Sequence, residues 1–114
     1  MKLVDEKGQV LIENLEIADT FFKRLKGLLG RKGIKSNEGL LIIPCSDIHM
    51  FFMKFSIDIF FLKETGKNQF QVLKVLRNLK PWRMAFGPSQ SNAVLETGLN
   101  VLSIGSGETL IIQE

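Results

Sequence analysis

Along much of this chain apolar and polar positions alternate with a period of about two, the spacing of strands whose side chains point to opposite faces. The opening reads as a hairpin: "KLV" and "QVLIENLEI" are short β-favouring runs, and "DEKG" between them has turn composition, with Gly8 free to take a positive φ. "GLLIIP" is a short continuous apolar run stopped by Pro44, which fits a buried strand. "SDIHMFFMKFSIDIFFLKE" is too rich in Phe and Ile for a typical helix and reads as two strands, or one long bent strand. In its second part Phe55, Ile57, Ile59 and Phe61 share one face, and Ser56, Asp58, Phe60 and Leu62 the other. "TGKN" then turns the chain into "FQVLKVLRNLK", whose weaker alternation favours a strand because a hairpin supplies an immediate partner. "PWRMAFGPSQSN", with two prolines and a glycine, is expected as an irregular surface loop holding Trp82 against the body of the protein. "GLNVLSI" fits a helical turn or a short strand, and "ETLIIQE" is a strand preceded by a turn at Gly105 and Gly107.

One stretch breaks the period. In "ADTFFKRLKGLLGRKG" the residues Phe21, Phe22, Leu25, Leu28 and Leu29 recur at helical spacing and form an apolar stripe, with Asp19 or Thr20 to cap the start and Gly30 or Gly33 to end it. On that wheel Lys23, Lys26 and Gly27 lie away from the stripe, whereas Arg24 borders it and can lean inward towards a carboxylate. These elements together predict a mainly β fold, a β-sandwich or open barrel-like sheet with one N-proximal helix packed against it, or alternatively an α+β arrangement.

At 114 residues the chain fits a single domain, 1–114, able to bury a core without staples. The longest apolar run is broken by Lys54 and Asp58 and is shorter than the roughly 20 residues a membrane span needs. The N-terminus carries charges every few positions instead of the apolar core of a secretory signal, and a lone Cys45 forms no intramolecular disulfide, so the cytoplasm is the expected location. Basic residues cluster without acids in segments 23–35 and 67–83, a pattern that phosphates would recognise. Stacking aromatics are not interleaved with those charges, so a solvated face is the favoured reading and a nucleic-acid partner is not expected.

Cys45, Asp47 and His49 are spaced as candidate metal ligands, but zinc sites need three or four such ligands and the chain has no second Cys or His; no metal and no cofactor is expected. A nucleophilic Cys45 served by His49 is weighed against ordinary burial of a free thiol, and burial is favoured. The phenylalanines and methionines from 50 to 61 read first as core. A sparse polar set in apolar surroundings is more telling: Arg24 on the helix border, Lys54 and Asp58 within the central strands, and Glu96 in "AVLETG". Such groups must pair or reach solvent, so they form either structural ion pairs or the floor of a cleft.

The order of "FFKRLKGLLGRKG", "EGLLIIPCSDIHMFFMKFSIDIFFLKE", "AVLETG" and "GSGETL" resembles domain-of-unknown-function family 192 of bacteria and archaea. Its strongest parts are the Arg-x-x-Gly-Leu element at Arg24 to Leu28, Phe-Met-Lys at Phe52 to Lys54 with Asp58 beyond, and Leu-Glu-x-Gly at Leu95 to Gly98. The resemblance implies a mainly β domain with a flanking helix, implies no established activity, and sets Arg24, Lys54, Asp58 and Glu96 on the family's polar motif positions. This chain departs from the pattern at Phe52, Phe55 and Glu108, where tryptophan, asparagine and aspartate are usual. The resulting expectation is a small soluble binding or accessory domain, not an enzyme, whose cleft at Arg24, Lys54, Asp58 and Glu96 takes a small-molecule or peptide ligand. The alternatives are a hydrolase-like or metal-assisted enzyme using Asp58 or Glu96, and nucleic-acid binding through the basic segments.

Overall fold

The computed structural model describes all residues from Met1 to Glu114. The chain is mainly β, with 46% of residues in strands and 5% in helix. In chain order the elements are β1 (Lys2–Val4), β2 (Val10–Ile12), β3 (Asn14–Ala18), α1 (Phe21–Lys26), β4 (Glu38–Ile42), β5 (Asp47–His49), β6 (Ile57–Gly66), β7 (Gln69–Leu79), β8 (Met84–Phe86), β9 (Ala93–Thr97) and β10 (Thr109–Gln113). Eight strands make one sheet in the order β2-β1-β10-β7-β6-β9-β4-β3, and β5 and β8 make a second, two-stranded sheet. All pairings are antiparallel except β3 with β4, which are joined through α1. The large sheet curls without closing into a barrel.

The alternation along β6 sorts its side chains into two cores. Phe60 and Leu62 join a cluster that draws on all eight strands, including Leu3, Ile12, Leu95 and Leu110, so this is the interior around which the sheet curls. Ile57, Ile59 and Phe61 point the other way, into a cluster with Ile42, Ile48, Met50 and Ala85. That outer cluster lies between the large sheet and the β5–β8 layer, and a strand buried on both faces reads as the near-continuous apolar run seen in "IDIFFL".

Several expectations are corrected. The helix is six residues long, capped by the Thr20 side chain, and it ends at Gly27 instead of Gly30 or Gly33. Gly27 takes φ 47° and ψ −125°, and its N–H caps the Lys23 carbonyl, so the turn stops there. The apolar stripe is not buried as such. Phe21, Phe22 and Leu25 are exposed, while Leu28, just past the helix, inserts into the outer core. A wheel identifies an amphipathic face but not what covers it. "PWRMAFGPSQSN" is not wholly irregular, since it contains β8, and Trp82 is solvent-exposed. "GLNVLSI" is neither helix nor strand.

Candidate functional site

The buried carboxylates Asp58 and Glu96 have opposite situations. Asp58, 1% exposed, points from β6 to the inner side of the sheet. Its Oδ1 accepts from the Asn78 N–H at 2.9 Å, and its Oδ2 from the Asn100 N–H at 2.8 Å and from Arg77 Nη1 at 2.9 Å. Burial alone would raise its pKa, but the hydrogen bonds from Asn78, Asn100 and Arg77 outweigh that and hold it below the ordinary value. Asn78 and Asn100 both sit in the left-handed region, at φ 56° and 59°. A satisfied carboxylate pinning two such bends is structural.

Glu96 lies on β9, between Leu40 of β4 and Ile59 of β6 in register. It is 5% exposed, and burial pushes its carboxyl up to about 7. No ion pair forms at this group, and burial is the whole cause of the shift. It lines a cavity of about 180 Å³ between the α1 segment and the start of the β5 layer. Arg24, the one half-buried residue of α1, lines the same cavity and likewise makes no ion pair. Leu28, Ile42, Ile48, Met50 and Met53 give it apolar walls. The inward lean expected for Arg24 is thus present, but the carboxyl it shares a space with is left unpaired.

Cys45, Asp47 and His49 line the cavity too. Burial raises the Cys45 thiol, the Asp47 backbone lowers it, the charges of Glu96 and Asp47 add to the rise, and Arg24 opposes them; the thiol also donates to the Asp47 carbonyl at 3.2 Å. The net rise keeps the sulfur a protonated donor instead of an activated nucleophile. No three of the chain's His, Cys, Asp and Glu side chains converge where one metal ion could be held.

The structure therefore places Arg24 and Glu96 on one cavity, whereas Lys54 is exposed and Asp58 is engaged elsewhere; neither of these lines the cavity. In the basic segments Arg31 bonds Glu16 at 3.0 Å and Arg77 bonds Asp58. The chain matches the family model DUF192, Uncharacterized ACR, COG1430, over residues 2–111. The chain belongs to the DUF192 family. It is 33% identical over 108 residues to a UPF0127 protein of Thermococcus sibiricus, a match covering 90% of this chain but 66% of that relative, just under two-thirds of its length. A UPF0127 protein of Pyrococcus horikoshii is 34% identical over 85 residues, 72% of this chain and 70% of that one. Two crystal structures share the fold. A protein of unknown function from Novosphingobium aromaticivorans has a TM-score of 0.75 at 22% identity, covering 96% of this chain and 81% of that chain. A putative transcription regulator from Sinorhizobium meliloti has a TM-score of 0.73 at 20% identity, covering 96% of this chain and 88% of that chain.

Two features of this DUF192 chain escaped sequence reasoning. The hairpin of β6 and β7 brings Asp58 near Arg77, but its register shifts three times, once between Ile57 and Ile59, so counting from the turn does not give the ion pair. The cavity has no local signal either, because Cys45, His49 and Met53 reach it from a layer whose docking on the large sheet is non-local.

Proposed function

We propose that the protein is a binding module that holds a small ligand in the cavity between α1 and the β5 layer, anchored at Glu96 and Arg24. The observation that carries this reading is a carboxyl, nine-tenths buried and without a partner, that faces a cavity with apolar walls. With no partner inside the chain, the Glu96 carboxyl is open to the cavity, where a ligand's donor can take the place of water. A ligand with a hydrogen-bond donor for Glu96, an acceptor for Arg24 and an apolar body meets all three kinds of wall. The single free thiol of Cys45 supports a reducing compartment, and the cytoplasm is the proposed location. No helix is long and apolar enough to cross a membrane.

Soaking crystals in a mixture of small metabolites, amines and amino acids among them, tests this directly. Density is expected in the cavity, against Glu96, and a ligand so identified should bind about tenfold more weakly to Glu96→Gln. Equal binding to that variant sinks the reading.

Glu96 also makes the protein's stability depend on pH. A carboxyl raised from 4.5 to about 7 binds more protons folded than unfolded, so stability is complete below 4.5 and falls as pH rises through about 7. Glu96→Gln is expected to flatten that slope and to be more stable than the wild type by about 2 kcal/mol at alkaline pH. Urea denaturation at several pH values reads the difference; parallel curves would contradict it.

A second reading rests on that same titration. A carboxyl near 7 in a cavity is poised as a general acid or base, the role a hydrolase-like reaction requires, whereas Asp58 is fully committed to its donors. If turnover of the bound ligand is found, its pH profile should bend near 7, and Glu96→Gln should remove the bend.

A further inference from the structure

The β5–β8 layer presents an outer face that nothing in the fold covers. Ile48 and Ala85 point inward to the core, so the alternate positions point out, with His49 opposite Met84 and Asp47 opposite Phe86. At one end of the layer the two adjoining loops extend this face with aromatic rings. His49 stacks on Phe51 at 5.0 Å between centroids, Phe51 on Trp82 at 6.0 Å, and Phe52 meets Trp82 edge-on at 4.8 Å. Phe52 is 72% exposed and Trp82 59%.

Both rings stand on turns built against local preference. The Met53 N–H donates to the Met50 carbonyl, and the Arg83 N–H to the Lys80 carbonyl, so each loop closes a four-residue turn. The third residues, Phe52 and Trp82, have φ of 64° and 69°, and Pro81 fills the second position of the latter turn. That is the pattern of a type II turn, in which the third position favours glycine. A bulky aromatic held there is a backbone outlier at both tips. The loops are also tied to each other, since the Trp82 N–H donates to the Met50 carbonyl at 2.7 Å and the Met50 N–H to that of Arg83 at 2.8 Å. The rings are therefore carried on a rigid platform that gains nothing for the core from them.

Around them the charge is of one sign. Lys54 follows Phe52 by two residues, Lys80 and Arg83 belong to the Trp82 turn, and all three are exposed; Asp47 at the far end of the face is its one acid. Exposed Trp and Phe ringed by Lys and Arg match the boundary of an anionic bilayer, where rings seat among the headgroups and cations meet lipid phosphates. We infer that this aromatic and basic tip docks the protein peripherally on an anionic lipid surface. Asp47 and His49 at the edge of this face also line the cavity, but Phe52, Lys54, Lys80, Trp82 and Arg83 do not.

Trp82 is the only tryptophan and the chain has no tyrosine, so its fluorescence reports on the tip alone. Titrating the protein with vesicles of phosphatidylcholine plus phosphatidylglycerol should shift the Trp82 emission to the blue, with co-sedimentation that weakens as salt rises and is much reduced on pure phosphatidylcholine. Phe52→Gly and Trp82→Gly suit their turns and should leave the thermal melt near that of the wild type while lowering partition about tenfold each, read by co-sedimentation. Lys80→Glu should lower it roughly fivefold on anionic vesicles only. Three results overturn the inference: no partition at low salt, full partition by the glycine variants, or a dimer in solution that Trp82→Gly dissociates while vesicles are ignored. The last would assign the face to a second copy of the chain.

Discussion

Asp58→Ala is expected to lower the stability of the fold by about 3 kcal/mol, a loss typical of removing one partner from a buried charged network. The substitution leaves two backbone N–H groups and the Arg77 guanidinium without their acceptor at once. Arg77 is 38% exposed at its side chain and recovers part of its hydration, which holds the figure below the sum of three full penalties. The Asn78 and Asn100 bends, both left-handed, lose the group that fixes them. Asp58→Asn keeps the shape and one accepting oxygen, so it should lie between the alanine variant and the wild type. The sign with pH follows from the lowered pKa: the contribution is complete above the ordinary value of 3.8 and is lost as pH falls through the lower, folded-state value. Denaturation curves of both variants against pH should converge on the wild type only in acid. A loss under about 1 kcal/mol at neutral pH would show that water replaces the carboxylate at little cost.

Gly87→Ala is expected to cost about 3 kcal/mol, the upper part of the usual range for overpacking. A Cβ there would lie 2.6 Å from Phe61 Cδ1 and 2.7 Å from the Ser46 carbonyl oxygen. Neither neighbour yields easily. Phe61 is fully buried, and the Ser46 carbonyl accepts the Gly87 N–H at 2.9 Å, so retreat breaks the bond that continues the β5–β8 pairing. The expected consequence is that the small layer lifts from β6, with a melting temperature lowered by roughly 15 °C. A variant that melts with the wild type would mean that the ring and carbonyl shift apart freely. Both substitutions separate scaffold from site, because Asp58 and Gly87 hold elements together and neither lines the cavity.

The strands were legible wherever side chains alternate against two cores or one. Along β6 the parity of Ile57, Ile59 and Phe61 against Phe60 and Leu62 is visible from the residues alone, and both halves proved to be core. The helix was overextended because the stripe through Phe21, Leu25, Leu28 and Leu29 continues past Gly27, and periodicity does not register a glycine taking a positive φ. Parallel pairing of β3 with β4, and the docking of β5 and β8, are contacts between distant segments and leave no local trace. For the site, an acid among apolar neighbours singled out Asp58 and Glu96 alike. It could not tell the one that has three donors from the one that has none, since the difference lies in which face of the sheet each side chain takes.

The strand order has a consequence for biosynthesis. β10 follows the other nine strands in the chain yet lies between β1 and β7, so β1 and β7 are joined in the sheet only once β10 has been made. Until then β7 presents an unpaired edge, the kind of surface on which nascent chains stick to one another. The sheet is therefore completed only when β10 arrives, and the β7 edge waits unpaired over the stretch of synthesis from Leu79 to Thr109.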